Sequence, residues 1–199
     1  MKRILIVIFL FIIVSVSKAQ NGLYIRSGGC GAWLGGDYNN AKPLFGGTYG
    51  VSYCHRFGNS RFVLNPSLFF TNKGGIVEVD KYGYSIEFHR NYLEISPQLL
   101  LMLRPERELK VAVTVSPFFG YGVSGKYEFK EFNLSGDVFK SGDMLRYDLG
   151  ERMGGGIIYR RFLLMAEFIQ GHLNTGDYSD AFCHARTRAV VVTVGVRVF

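Results

Sequence analysis

The fold is decided by residues 186–199, which read RTRAVVVTVGVRVF. The even positions form one continuous apolar face, made by Val190, Val192, Val194, Val196 and Val198. The odd positions opposite carry mostly small or polar groups, namely Val191, Thr193, Gly195 and Arg197. Because successive side chains of a strand point to opposite faces, the pattern predicts a strand with hydrocarbon on one side. An aromatic residue directly after such a strand, here Phe199, is typical of the closing strand of an outer-membrane β-barrel.

Seven more segments have strand-like patterns. The sequence therefore predicts an all-β fold, an eight-stranded antiparallel up-and-down transmembrane β-barrel. The predicted strands are 23–34, 45–57, 62–73, 91–103, 109–126, 145–159, 162–173 and 185–199.

Period-two alternation also assigns faces within the other strands. In 62–73 the predicted lipid face is Phe62, Leu64, Pro66, Leu68 and Phe70. The predicted inward positions of that strand are Asn65, Ser67, Thr71 and Lys73. In 162–171 the predicted lipid face is Phe162, Leu164, Ala166 and Phe168, which leaves Glu167 inward.

The connections between these strands alternate in length. The short ones, 58–61, 104–108 and 160–161, contain turn formers or charges and are predicted to face the periplasm. The longer ones, 35–44, 74–90, 127–144 and 174–184, are predicted to be extracellular loops. A soluble eight-stranded binding barrel is the alternative architecture, but it is not expected to sort its loops by length in this way.

The first residues predict export. Lys2 and Arg3 precede an apolar run at 4–14, and Ser17-Lys18-Ala19 offers a signal-peptidase site. A membrane-anchoring helix is the alternative, but this run is too short to cross a bilayer of roughly 30 Å. We therefore predict a cleaved signal peptide at 1–19, a barrel domain at 20–199 and location in the cell outer membrane.

Composition and charge fit an exported barrel. The chain carries a net charge of +7, and removal of the predicted signal takes away three of its 23 basic residues and none of its 16 acidic ones, which leaves +4. No cluster of basic residues with interleaved aromatics is present, so nucleic acid is not a predicted partner. The 25 glycines and the 15% aromatic content suit strands that crowd together and face lipid.

Four motifs in order resemble the PorT-like outer-membrane β-barrel family of the Bacteroidetes. They are NPSLFFTNKG at 65–74, NYLEI at 91–95, SPFFGY at 116–121, and YDLG at 147–150 followed by glycines at 154–156. The resemblance implies an eight-stranded barrel in the outer membrane of a Gram-negative bacterium. Some members of the family are associated with protein secretion. The chain departs from the family at Phe199, which is out of phase with the apolar face ending at Val198, and a bulge near Arg197 would restore the phase.

Five charged residues are predicted to point into the barrel: Arg26, Glu94, Arg152, Glu167 and Arg197. An eight-stranded barrel is only wide enough to be filled by side chains, so these residues predict an ionic network that plugs the lumen. A narrow gated pore is the alternative.

No catalytic or cofactor site is predicted. Asp80, Ser85 and His89 fall in one long loop, and His172 and His184 flank another, but their spacing imposes no triad. The Ser-Gly-Asp sequences at 135–137 and 141–143 are consistent with calcium ligands but are more typical of turns.

Three cysteines and two arginines complete the candidate residues. Cys30 and Cys54 are predicted to point inward on adjacent strands, either bridged or as two buried thiols, and Cys183 leaves the count odd. The spacing of cysteines that a zinc site needs is absent.

Arg186 and Arg188 are predicted either to meet lipopolysaccharide phosphates or to lie at the membrane interface without a specific partner.

These observations predict a small integral outer-membrane protein without enzymatic activity. Its role is structural, or it acts in surface interaction through extracellular loops. Its expected partners are outer-membrane lipid, lipopolysaccharide and an envelope or secretion complex. An accessory factor for secretion and a lipid-modifying enzyme are the alternative functions.

Overall fold

The computed structural model describes residues 21–36, 41–79, 84–103, 107–140, 144–173 and 185–198. Their regular structure consists of nine strands: β1 (Gly22–Gly36), β2 (Leu44–Arg56), β3 (Phe62–Val79), β4 (Tyr84–Met102), β5 (Leu109–Phe129), β6 (Leu134–Asp137), β7 (Tyr147–Tyr159), β8 (Phe162–Gly171) and β9 (Ala185–Arg197). Within these ranges we find no helix long and apolar enough to cross a bilayer.

Eight of the strands form a closed antiparallel ring. Their order is β4-β3-β2-β1-β9-β8-β7-β5, and β4 pairs with β5 to complete the circle. The first and last strands pair along their length, from Tyr24 opposite Arg197 to Gly36 opposite Ala185. The predicted eight-stranded barrel is therefore confirmed. The extra strand, β6, lies outside the ring and pairs with the end of β5.

The predicted inside and outside faces are confirmed by exposure. Val192 on β9 is 45% exposed, whereas Val191 and Thr193 beside it are buried. The same alternation holds along β3 and β8, where Lys73 and Glu167 are buried and point into the ring. An apolar outer surface and a partly polar interior are the reverse of a soluble protein and the arrangement that a bilayer requires.

The barrel has two different ends. At the end that we call the turn end, β2 joins β3 through residues 57–61 and β7 joins β8 through Arg160 and Arg161, as predicted. At the opposite end, which we call the loop end, several strands continue well past their neighbours.

The predicted loop at 74–90 is wrong. Residues up to Val79 belong to β3, and residues from Tyr84 belong to β4, so only 80–83 remain between them. The segment is strand because its inward positions Val77, Ile86 and Phe88 are all buried apolar residues. Charged residues on the other face concealed this alternation in the sequence.

The predicted loop at 127–144 is also partly wrong. Tyr127–Phe129 still pairs with β4, and 134–137 folds back onto β5 as β6. We call the set formed by the distal parts of β3, β4 and β5 together with β6 the sheet extension. Asp80, 141–143, 174–184, the signal region and Phe199 lie outside the described residues.

A polar boundary separates the sheet extension from the apolar band of the barrel. On the outward face, Phe70 and Leu93 are exposed apolar residues. The next outward positions are Asn72 and Asn91, and Asn72 Nδ2 donates to Asn91 Oδ1 over 2.8 Å. Asn91 Nδ2 in turn donates to Ser124 Oγ over 2.9 Å. This row of two amides and one hydroxyl marks where the outward surface changes from apolar side chains that suit lipid to polar side chains that suit water.

The apolar band predicts that a charged residue introduced on the outward face destabilises the barrel by an amount that depends on its position along the strand. Val192→Arg places a guanidinium on the apolar face near the middle of β9. We expect this change to lower the free energy of unfolding by roughly 2–4 kcal/mol in phospholipid vesicles, the range found for Arg at the middle of a barrel's lipid face. Urea titration followed by fluorescence of Trp33, the sole tryptophan, measures the change.

Ser124→Arg is the matched control, because Ser124 is exposed on the outward side and lies in the polar boundary itself. We expect it to change the free energy of unfolding by about 0.5 kcal/mol or less. Equal losses in the two variants would contradict the assignment of the band.

Candidate functional site

The barrel interior is centred on one carboxylate, that of Glu94 on β4. Its Oε1 meets the Nζ of Lys73 from β3 in an ion pair. Its Oε2 accepts hydrogen bonds from Arg152 Nη2 at 2.9 Å and from Thr71 Oγ1 at 3.1 Å. All four residues are buried. Three strands of the ring, β3, β4 and β7, therefore bring two cations and one hydroxyl to the same acid.

A second buried carboxylate, that of Glu167 on β8, lies nearer the turn end. Arg26 Nη2 lies 3.0 Å from Glu167 Oε2 and also donates to Thr193 Oγ1 over 2.6 Å. Gln98 Nε2 donates to Glu167 Oε1. Arg152 Nη1 lies 3.9 Å from Glu167 Oε2, so Arg152 joins the two carboxylates into one network.

Further polar groups extend this network at its two edges. Lys73 Nζ lies 3.3 Å from Asp148 Oδ2 on β7. Asn65 Nδ2 donates to Gln98 Oε1 over 2.8 Å, and Cys54 Sγ lies 3.3 Å from Asn65 Oδ1. The polar contacts thus connect side chains from most strands of the ring.

Aromatic rings fill the spaces between the cations. The guanidinium carbons of Arg26 and Arg152 lie 4.7 and 5.2 Å from the centroid of the Phe69 ring. Lys73 Nζ lies 4.5 Å from the centroid of Phe118. Rings at these distances attract cations electrostatically and exclude water from around them.

Apolar clusters lie on both sides of the charged layer. The cluster at the turn end consists of Tyr24, Cys54, Val63, Leu100, Met102, Ala112, Ile158, Leu163 and Met165. The cluster at the loop end consists of Leu34, Val77, Ile86, Phe88, Tyr92, Val138, Phe139, Met144 and Ala185. The charged layer is therefore separated from water in both directions along the barrel axis.

Phe139, which follows β6, is inserted into the loop end of the barrel. Its ring meets Tyr92 edge-on with centroids 6.2 Å apart. A Cβ at Gly122 or Gly125 would lie 2.4 or 2.9 Å from this ring, so two glycines on β5 make the space that the ring fills. Arg146 lies over the ring at 5.1 Å.

Most of the network was predictable from the sequence. Arg26, Glu94, Arg152 and Glu167 are buried and paired as predicted. Arg197 is only half-buried and lies at the turn end, away from these pairs.

The roles of three residues were not predicted. Lys73 was placed inward but not counted among the ionic residues, and Asp148 and Gln98 were not singled out. Asp148 alternates with the outward Tyr147 and Leu149, and this was the signal that could have found it.

Of the residues considered for catalysis, Ser85 and His89 do not meet, and Asp80 and His184 lie outside the described residues. Ser85 Oγ donates to Glu131 Oε1 over 3.1 Å, and His89 Nε2 lies 3.8 Å from Glu87 Oε2. Ser85 and His89 are four residues apart on β4, so a strand rise of roughly 3.3 Å per residue separates them by about 13 Å. Within the described ranges, no group of three or more His, Cys, Asp or Glu is placed to hold a metal ion.

The Ser-Gly-Asp sequence at 135–137 forms β6 and starts a turn. The carboxylate of Asp137 accepts hydrogen bonds from the backbone N–H groups of Phe139 at 2.9 Å and Lys140 at 3.2 Å. The turn interpretation is therefore confirmed for Asp137, whereas 141–143 lies outside the described residues.

Cys30 and Cys54 are both buried and free. Cys30 pairs across the ladder with Gly46, whereas Cys54 pairs with Gly22. Cys54 is eight residues beyond Gly46 on β2, so about 26 Å of strand separates the two thiols at roughly 3.3 Å per residue. The two inward directions were predicted correctly, and the alternative of two buried thiols is confirmed.

No protein family model and no curated protein matches the sequence. Solved structures do match in fold. Neisserial surface protein A aligns with a TM-score of 0.54 at 10% identity, over 88% of this chain and 97% of that one. This is the fold of a small outer-membrane β-barrel.

Two other structures match less closely. A major outer membrane protein of Thermus thermophilus has a TM-score of 0.49 at 14% identity, over 89% of this chain and 99% of that one. The attachment invasion locus protein of Yersinia pestis has a TM-score of 0.48 at 14% identity, over 88% and 98%. At identities this low, the likeness to known barrels concerns the fold alone.

The central carboxylate predicts a large stability effect. Glu94→Gln removes the acid shared by Lys73 and Arg152. The nearest remaining acids are Asp148, 3.3 Å from Lys73, and Glu167, 3.9 Å from Arg152. We expect a loss of about 3–5 kcal/mol in the free energy of unfolding, because a buried charge loses its partner. Urea unfolding of the refolded protein in detergent micelles measures this loss.

Glu108→Gln is the control, because the Glu108–Arg160 pair at 3.5 Å is largely exposed. We expect its effect to be about 0–1 kcal/mol. If both variants unfolded at the same urea concentration, the interior network would not stabilise the barrel.

Proposed function

We propose that this chain is a small integral outer-membrane protein without enzymatic activity, which has a closed lumen and acts through its extracellular surface. The apolar outward band and the closed eight-stranded ring support location in a membrane. Short turns at one end and extended segments at the other favour a periplasmic turn end and an extracellular loop end.

The closed interior is the observation that carries this proposal. The charged layer fills the middle of the barrel, and apolar clusters cover it at both ends. An eight-stranded barrel has an interior just wide enough for side chains. Along the described part of the chain, the interior therefore offers a packed core and no continuous polar path for solutes.

This closure predicts that the barrel does not conduct. We expect no stepwise current when the refolded protein is incorporated into planar lipid bilayers. Phe139→Ala removes only the ring inserted at the loop end, so we expect it to be equally silent because the charged layer still fills the bore. Current steps of uniform size in the wild type would contradict the proposal and favour the gated-pore alternative.

The outward face of the sheet extension supports a role in surface contact. Its strands carry two acidic residues that pair with exposed lysines just outside the strands, Glu78 with Lys42 and Glu87 with Lys130, both at 2.6 Å. Beside β6, Phe132 is 59% exposed. A rigid sheet with a charged face and an exposed aromatic residue next to its short outermost strand is a surface suited to protein or saccharide contact.

Lipopolysaccharide is the partner best supported by a specific arrangement. Arg186 and Arg188 are exposed on the outward face of β9, directly above the apolar residues Val190 and Val192. Arg188 Nε donates to Gln170 Oε1 over 3.0 Å, which holds the guanidinium in place. Two guanidinium groups above an apolar wall match a lipid that carries phosphate above acyl chains.

Trp33 provides a reporter for this contact, because it lies directly opposite Arg188 in the β1–β9 ladder. We expect titration with lipopolysaccharide to change Trp33 fluorescence, and the double variant Arg186→Gln with Arg188→Gln to bind about tenfold more weakly through the loss of charge-assisted hydrogen bonds. Arg61→Gln, at the turn end, is the control and should bind as the wild type does. Unchanged affinity in the double variant would remove lipopolysaccharide as the partner at this position.

Membership of the PorT-like family and an accessory role in secretion stay predictions from the sequence resemblance. No observed contact favours them over surface interaction. Selective loss of exported proteins from a strain lacking the gene would support secretion, and an unchanged set of exported proteins would oppose it.

A further inference from the structure

An acid interrupts the apolar outward face of the barrel wall. Glu151 lies on β7 and points outward, because the neighbouring Arg152 is buried in the bore. The Glu151 side chain is 45% exposed on the side that faces lipid. On the same face of β7, Leu149 lies toward the loop end and Met153 toward the turn end, and both are exposed apolar residues. The carboxylate therefore lies within the apolar band and not beyond its edge.

The neighbouring strand β5 indicates the same depth. Pro117 lies opposite Glu151, and Phe119 and Tyr121 follow it toward the loop end on the same exposed face. The ring of Tyr121 meets that of Tyr147 on β7 with centroids 5.5 Å apart. Tyr147 precedes Glu151 by four residues, so roughly 13 Å of strand separates them at about 3.3 Å per residue. Paired tyrosines are typical of the interface of a membrane barrel, so Glu151 lies on the hydrocarbon side of that interface.

A row of polar side chains runs from Glu151 to Arg188. Glu151 lies opposite Gln170 of β8, and Gln170 lies opposite Arg188 of β9. All three residues are on the outward face. Arg188 Nε donates to Gln170 Oε1 over 3.0 Å, and His172 Nε2 lies 3.7 Å from Glu151 Oε2. Because neighbouring strands are about 4.8 Å apart, the row extends over roughly 10 Å.

The two ends of this row lie at different depths. On β9 the exposed apolar face begins after Arg188, at Val190. On β7 it begins at Tyr147, before Glu151. The row therefore starts at the edge of the apolar band and ends inside it. A lipid that fits both ends carries an anion at the level of Arg188 and a hydrogen-bond donor lower down, because an ionised carboxylate only accepts hydrogen bonds.

We propose that Glu151 selects lipopolysaccharide over glycerophospholipids by accepting a hydrogen bond from the lipid anchor. This inference rests on the contact between Arg188 and lipopolysaccharide phosphate in the proposed function. The anchor of lipopolysaccharide carries amide N–H and hydroxyl groups where its acyl chains are attached. The corresponding ester groups of a glycerophospholipid contain only acceptors and offer the carboxylate no donor. Hydrogen bonds to charged groups are stronger than those between neutral groups, so one contact is enough to set the preference.

The experiment is a titration of the refolded full chain in nonionic detergent, with the fluorescence of Trp33 as the readout. The titrants are lipopolysaccharide and two matched lipids, ceramide phosphate and phosphatidic acid. Both matched lipids have a phosphate monoester and two chains, but only ceramide phosphate has an amide N–H and a hydroxyl group next to them. We expect the wild type to bind ceramide phosphate about tenfold more tightly than phosphatidic acid, through the charge-assisted hydrogen bond to Glu151.

Variants of Glu151 test the contact directly. Glu151→Leu removes the acceptor and adds an apolar side chain to an apolar surface, so the barrel should fold at least as well as the wild type. We expect this variant to bind lipopolysaccharide about tenfold more weakly and to bind the two matched lipids equally. Glu151→Gln keeps a neutral acceptor and should retain part of the preference.

Glu108→Leu is the control, because it removes a largely exposed acid at the turn end. It should bind all three lipids as the wild type does. A gel-mobility shift on boiling confirms that each variant is folded before titration.

Three results would overturn the proposal. They are equal wild-type affinity for the two matched lipids, a preference that persists in Glu151→Leu, and unchanged lipopolysaccharide affinity in Glu151→Leu. The double variant Arg186→Gln with Arg188→Gln tests the proposed function separately, because it leaves Glu151 in place. Lipopolysaccharide binding that depends on the arginines but not on Glu151 would refute this inference alone. Binding that depends on Glu151 but not on the arginines would instead refute the phosphate contact.

Discussion

The structure depends on the need to neutralise the Glu94 carboxylate and its cations where water cannot reach them. Within the apolar band the outward face of the ring strands is largely hydrophobic, so the polar side chains at that level must share a narrow bore. Lys73 and Arg152 are each stable there only because an acid lies within contact distance. These contacts join β3, β4 and β7, so neutralisation and closure of the ring reinforce one another.

The order of layers along the bore explains why the interior is a core and not a channel. The apolar clusters at the two ends keep water from the charges, and the exclusion of water strengthens the attraction between them. Phe139 extends this sealing to the loop end by entering the space left by Gly122 and Gly125. Under the proposed function, the surfaces that contact partners lie outside the sealed layers, at the outward face and the sheet extension.

The sheet extension shows how one pair of strands serves two environments. Along β3 and β4 nearly all inward positions are buried, and they change from charged residues such as Lys73 to apolar ones such as Val77 and Phe88. The outward positions change in the opposite sense, from apolar to polar, at Asn72 and Asn91. The ladder between β3 and β4 continues past this boundary as far as Val79 and Tyr84, and the loop end thereby gains a surface built on regular sheet.

The pattern of residues was enough to show which side chains point in and which point out. Alternation is a local property of the extended backbone, so the apolar face ending at Val198 and the inward Glu167 could be identified without knowledge of any neighbour. The alternation was not recognised at 74–90, because the charged outward residues of this segment are typical of a loop. Two facts could be seen only in the folded barrel: Lys73 meets Asp148, and Cys30 and Cys54 lie far apart. Those contacts depend on the register between strands and on the closure of the ring, which no single strand contains.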